Sequence, residues 1–226
     1  GDYHQLENTP SAHQPFPLTS QGIEQAKKGA ESIREILNKK GWKLHPTLHS
    51  STSLRAWQTA DVLLKEIGGC HEIKSSPELC ERSLGSVGNL SVETIEQVLR
   101  DDPRYTQAPK DWKSNSHYCL PFEGAESLMA AGQRVKDYIL QTLQPFSIRK
   151  AEKETTTDSP LVHLFVGHGA SFRHCAYHLG LLNFDQITQY SMYHATPLAF
   201  QQKPNTSWQH IEGEWKIRKS KDLLLD

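Results

Sequence analysis

The stretch that most constrains what this chain can fold into is LVHLFVGHGASFRH, Leu161 to His174. A largely apolar run stops abruptly at Gly167-His168-Gly169, and the chain continues with the spacing of an amphipathic helix. A buried strand that turns sharply into a helix is the unit of an open α/β sheet. In such sheets ligands collect beyond the carboxyl ends of the strands, where helix N-termini also favour anions. The sequence thus delivers a histidine, His168, to the edge where a site is expected.

The same alternation recurs along the chain. Thr19 is the expected N-cap of a helix whose Ile23, Ala26, Ala30, Ile33 and Leu37 form one apolar face. Leu44 to Ser50 reads as a short strand, and Ser53 is placed to cap a second helix carrying Ala56, Ala60, Leu63, Leu64 and Ile67. His71 to Ser75 is a weaker strand, and Ser91 precedes a helix through Arg100 with Val92, Ile95, Val98 and Leu99 turned inward. Ser127 to Leu140 repeats the helical pattern, and the polar run from Arg149 to Ser159 reads as a solvated loop. Thr196 to Gln201 and Trp208 to Ile217 read as antiparallel or edge strands.

Strands alternating with helices predict an α/β three-layer sandwich, a mostly parallel central sheet with helices on both faces. The expectation is a single domain over residues 1–226 with a lid-like insertion at about 86–123. The irregular part of that insertion, Asp101 to Glu123, carries Tyr105, Trp112, Tyr118 and Phe122, expected on its surface and a common home for specificity. One element is wanting. A sheet of this kind has a strand before its first helix, yet residues 1–18 hold three prolines and no apolar run, so the first strand is expected to be missing.

A formal net charge of −1 offers no surface for general attraction to nucleic acid or membranes, and no apolar run reaches the ~18 residues of a membrane span. Cysteines at 70, 80, 119 and 175 lack C-x-x-C spacing and suit reduced thiols in the cytoplasm, with two disulfides as the alternative. The chain opens at Gly1 without an initiator methionine, which leaves room for a removed targeting segment.

Three further residues can carry chemistry with His168, and the first two lie just beyond predicted strands. Arg55, at the head of the second helix, would add a bidentate fork to free helix N–H groups, as phosphate recognition needs; by position alone it equally suits an exposed helix end. Glu81, in LCERSLG, can donate a proton to a leaving oxygen, or serve as an ordinary loop carboxylate. Glu126, in FEGAESL, reads as a helix cap or a site contact. His174 and His178 imitate a zinc pair around Cys175, but the Glu of H-E-x-x-H and a third ligand are lacking, so no metal is expected. Gly169-Ala170-Ser171-Phe172-Arg173 departs from the nucleophile elbow at its last glycine.

Taken in order, LTSQGIEQA at 18–26, SSTSLRAWQTA at 50–60, LCERSLG at 79–85, FEGAES at 122–127 and VGHGASFR at 166–173 resemble the histidine phosphatase superfamily, the phosphoglycerate-mutase-like fold. The resemblance spans nearly the whole chain. It implies a phosphoryl-accepting histidine in an Arg-His-Gly motif at the end of the first strand, with Gly1 as that glycine and the attacking histidine immediately upstream. It further implies that Arg55, His168 and Gly1 contact phosphate, that a cationic His168 spreads transferring charge, and that Glu81 is the proton donor.

No cofactor or metal is implied. Gly1-Asp2-Tyr3-His4 in place of Gly-Glu-Thr, and Leu6 where mutases carry asparagine, look more like the phosphatase branch than the glycolytic mutases. The expected function is metal-independent hydrolysis of phosphomonoesters, on phosphorylated small molecules or phosphoproteins. The alternatives are a phosphoryl-binding module without turnover and a phosphoglycerate mutase or bisphosphatase.

Overall fold

The computed structural model describes residues 1–10, 12–69, 71–152 and 159–218. Thr19 opens helix α1 (Ser20–Lys40) by accepting the N–H of Gly22, and Gly41, with φ of 65°, closes it in the left-handed conformation that glycine adopts without strain. The buried face of α1 is Gly22, Ala26, Gly29, Ala30 and Ile33; of the expected apolar face Ala26, Ala30 and Ile33 are buried and Leu37 packs against them, but Ile23 is exposed. Strand β1 (Lys43–Ser51) follows, then α2 (Leu54–Ile67) and β2 (Glu72–Ser76). Ser53 holds the N-cap position of α2, but its hydroxyl makes no capping bond.

After α3 (Val92–Asp101) and α4 (Leu128–Glu152), strand β3 (Leu161–Val166) returns to the sheet and α5 (Gly169–His178) leaves it. The sheet order is β2-β1-β3, all parallel, with Leu48 of β1 opposite both Ile73 and Leu164. Period-2 alternation sorts its side chains between two helical layers. On one face the fully buried Leu48 packs with Ala30, Ile33, Ala60 and Leu63 of α1 and α2, with Leu164 and Val166 joining from β3. On the other, Phe165 packs with Val135, Tyr138 and Cys175 of α4 and α5. The chain is thus the three-layer α/β sandwich that the alternation predicts.

Among the described residues β3 pairs only with β1, so a strand of central composition, LVHLFV, stands at an edge. The helix α6 (Phe184–Gln189) leads to two antiparallel pairs outside this sheet. These join β4 (Tyr190–Ser191) to β7 (Lys216–Ile217), and β5 (Ala199–Gln202) to β6 (Trp208–Glu212).

Two expectations are corrected. The polar stretch from Arg149 does not begin a loop: α4 continues through Glu152, because Arg, Lys, Ala and Glu are good helix formers whatever their polarity, and 153–158 lie outside the described residues. The aromatics of the insertion are not displayed on its surface. Trp112 is buried among Leu84, Val87, Ile95, Leu99 and Leu120, with Tyr105, Tyr118 and Phe122 packed against them. The segment has no sheet to cover it, so it folds its apolar side chains onto α3 and makes a core of its own. Trp112 donates its indole N–H to Glu96 at 3.1 Å, which satisfies the polar end of the buried ring. Cys80, Cys119 and Cys175 are free thiols, and Cys70 lies outside the described residues.

The layer beneath α4 is unusual in using imidazoles as filler. His45 and His163 stack at 4.3 Å between ring centroids, His49 stacks on Phe165 at 5.0 Å, and His49 Nδ1 lies 2.8 Å from the Tyr138 hydroxyl. Burial, with the nearby Lys74 and His45 for His49 and with His45 and His49 for His163, lowers both to about 4. Unfolded histidines take up protons near pH 6.5, so the unfolded chain binds more protons between pH 6.5 and 4. Stability is therefore complete above about pH 6.5 and falls as the pH drops through this window. Urea denaturation at a series of pH values should show the decline, and His49→Phe should flatten it.

Candidate active site

The site lies at the carboxyl edge of the sheet. Ser50 of β1 stands beside Val166 of β3 in a parallel register, so both strands end at the same level. Arg55, in the first turn of α2, and His168, at the N-cap of α5, are carried to that level together. Gly167 makes the second approach possible, because a Cβ there would lie 2.7 Å from the Phe172 ring and 2.9 Å from the Leu79 carbonyl oxygen.

The two side chains meet. Arg55 Nη2 lies 3.3 Å from His168 Nδ1, its Nη1 donates to the Gln14 carbonyl at 3.1 Å, and its guanidinium lies 4.6 Å from the centre of the Tyr3 ring. Both residues are buried, at 5% and 8% exposure, so Arg55 is not the solvated helix-end arginine that position alone allowed. On its other side His168 Nε2 lies 3.0 Å from Ser51 Oγ.

Burial, then the positive charge of Arg55, drives the His168 imidazole well below its ordinary value. In this ligand-free state the ring is neutral at pH 7; the cationic histidine that the resemblance implies belongs to a site holding a phosphoryl group. A cation facing a guanidinium in a dry site would be repelled unless an anion came between them.

Glu81 stands on the adjacent wall. Its Oε1 accepts from the Ser171 N–H at 3.2 Å, the Ser171 hydroxyl at 3.1 Å and the Arg82 N–H at 3.0 Å, so it is fastened to the first turn of α5, the helix that His168 caps. Gly1 is placed apart from such bonds, against the first turn of α1. A Cβ on Gly22 would fall 1.9 Å from the Asp2 carbonyl, so the two segments touch backbone to backbone there. Asp2 accepts the Thr19 hydroxyl at 2.9 Å.

Sequence reasoning overlooked Arg134. From α4 it donates to the carbonyls of Pro77, Glu78 and Cys80 at 3.2, 2.7 and 3.3 Å and pairs with the Glu126 carboxylate at 2.5 Å, which clamps the chain leading to Glu81. In sequence it is indistinguishable from a solvated helix arginine. Glu126 does not cap α4: Ser127 accepts the Ala130 N–H in that role, and Glu126 accepts the Ser83 N–H at 3.0 Å. Gln14 and Ser51 were likewise unmarked, since neither type signals chemistry alone.

A cleft of about 740 Å³ opens beside these groups, lined by His13, Gln14, Thr52, Cys80, Glu81 and Arg134 among others. Arg55 and His168 do not line it; Gln14, which accepts from Arg55, does. Residues 101–122 of the insertion do not line it either, so its walls come from 12–15, 52–54, 77–83 and 124–134. The histidines of the imitation zinc pair are bound elsewhere. His174 lies 3.0 Å from the Ser116 hydroxyl and 2.8 Å from the Ala170 carbonyl, and His178 lies 2.9 Å from the Met129 carbonyl.

This chain matches the family model of the histidine phosphatase superfamily (branch 1) over residues 3–211. The 2,3-bisphosphoglycerate-dependent phosphoglycerate mutase of Brucella ovis is 29% identical over 188 residues, 81% of this chain and 79% of that protein. Among solved structures, mycobacterial glucosyl-3-phosphoglycerate phosphatase superposes with a TM-score of 0.64 at 19% identity, covering 93% of this chain and 92% of that one. A putative α-ribazole-5′-P phosphatase from Escherichia coli gives 0.63 at 19%, covering 93% and 90%. At these identities the structural likeness establishes the phosphoglycerate-mutase-like fold. The match over nearly all of the sequence establishes the family: the chain belongs to the histidine phosphatase superfamily.

Proposed function

We propose that this protein is a metal-independent phosphatase that hydrolyses phosphomonoesters, on a small molecule or a phosphoprotein, through a phosphohistidine. The observation that carries the reading is the buried contact between Arg55 and His168 at the sheet edge, with Glu81 fastened to the head of the same helix. Arg55 and His168 bind the transferring phosphoryl group. Its developing charge is held by groups already in position and shielded from water. Glu81 gives a proton to the leaving oxygen as the P–O bond breaks.

The attacking imidazole, expected immediately before Gly1, forms the N–P bond. Water then attacks phosphorus, the N–P bond breaks, and Glu81 recovers the proton. The free thiols of Cys80, Cys119 and Cys175 suit a cytoplasmic setting. A mutase reading is favoured by the Brucella relatives. It differs in product: isomerised phosphoglycerate rather than free phosphate.

The chain extended upstream through Arg-His should release phosphate from p-nitrophenyl phosphate in EDTA, and the chain starting at Gly1 should not. Loss of activity in EDTA, or turnover by the shorter chain, would overturn the reading. Phosphoglycerate isomerised without phosphate release would move the assignment to the mutase. In the extended chain, Arg55→Ala should lower kcat/KM about 100-fold or more, the scale of one lost oxyanion donor. Glu81→Gln should slow an alkyl phosphate by about 100-fold or more while sparing p-nitrophenyl phosphate, whose leaving group needs no proton. Equal losses on both substrates would remove Glu81 from the acid's role.

A further inference from the structure

The bonds around His168 determine which ring nitrogen carries the proton. An arginine guanidinium can only donate, so Nδ1, 3.3 Å from Arg55 Nη2, must offer its lone pair, and the hydrogen of the neutral ring sits on Nε2. Nε2 then donates to Ser51 Oγ at 3.0 Å. The capacity of that hydroxyl is filled in a matching way. It accepts from Nε2 and from the Ser53 N–H at 3.2 Å, and its own hydrogen is free for Ser53 Oγ at 3.3 Å or Cys80 Sγ at 3.2 Å. Ser51 is the last residue of β1, has no exposed surface, and cannot turn away to another partner without leaving a buried ring N–H unmatched.

We propose that Ser51 is a positioning residue: by accepting from Nε2 it holds His168 in the Nε2–H tautomer with Nδ1 aimed at Arg55, so that a tetrahedral oxyanion reaching Arg55 is bound together with a proton on Nδ1. The proposal rests on the phosphoryl-site reading above and adds to it a tautomer, a residue that sets it and a proton count. With no ligand, Arg55 spends a donor on Nδ1. An oxyanion takes that donor for itself and leaves the Nδ1 lone pair facing negative charge, where a proton completes the contact. The charged groups facing His168 are cationic: Arg55 from α2, Arg134 from α4 and, in a chain that starts at Gly1, its amino group. The Cys80 thiol reaches the ring only through Ser51. Proton uptake therefore waits for the anion.

Sulfate tests this without turnover, because it stays a dianion across neutral pH. In the full chain labelled with 15N-histidine, long-range 15N–1H correlation should find the His168 hydrogen on Nε2. Ser51→Ala should lose that preference and weaken sulfate binding about tenfold, the scale of one hydrogen bond to a charged group, and Ser51→Thr should restore both. Calorimetry at pH 7 in buffers of different ionisation heat should count close to one proton taken up per sulfate, abolished in His168→Asn. A hydrogen on Nδ1 in the free chain, or a Ser51→Ala variant that keeps the wild-type tautomer, overturns the role of Ser51. Sulfate binding without proton uptake overturns the coupling. No sulfate binding at all, with the Nε2–H signal intact, overturns instead the phosphoryl-site reading beneath it.

Discussion

The parallel pairing of β1 with β3 is the constraint from which the site follows. Because Ser50 stands beside Val166, the turns that leave the two strands start at the same height, and the side chains they carry meet without any long reach. A different pairing would separate Arg55 from His168 by the rise of the strand, about 3.3 Å for each residue of slip. The register is itself held by burial. Leu48, Leu164 and Val166 face α1 and α2 while His49 and Phe165 face α4, and a slip of one residue would exchange the two sets.

Burying a guanidinium against a neutral imidazole is costly unless every contact is used. Arg55 meets a carbonyl, a ring nitrogen and an aromatic face, and its partner is held from behind by Ser51. Burial, then the charge of Arg55, keeps His168 neutral in this ligand-free arrangement. The clamp made by Arg134 acts one layer further out. By gathering the carbonyls of Pro77, Glu78 and Cys80 it fixes where Glu81 emerges, without itself bonding to Arg55 or His168.

The insertion has a different part from the one its composition suggested. Its aromatic side chains are consumed in a small core with α3, and the cleft is walled instead by residues 12–15, 77–83 and the approach to α4. The cleft is thus walled by short polar segments such as His13 and Gln14 rather than covered by an aromatic lid. Arg55 is also covered by Gln14 and Tyr3, so these two residues of the proline-rich N-terminal stretch form part of the site's roof.

Local pattern was enough for much of this. The helical faces of α1, α2 and α3, the caps at Thr19 and Ser91, the strands around Leu48 and Leu164, and the arrival of Arg55, Glu81 and His168 near strand ends are all written in short-range periodicity and turn chemistry. The length of α4 was not legible, because polarity distinguishes solvent from core and not helix from loop. The burial of Trp112, the clamp by Arg134 and the hydroxyl of Ser51 against His168 were not legible either. The last two join residues more than 50 positions apart, and Trp112 joins a core gathered from residues 84 to 120; a Ser, Arg or Trp looks the same in sequence whether its partner is water or a side chain that the fold brings to it. The sequence by itself determined which residue types reach the sheet edge. Only the tertiary structure decided which of them touch, which are neutral and which lie buried, because those are properties of the surroundings that packing creates.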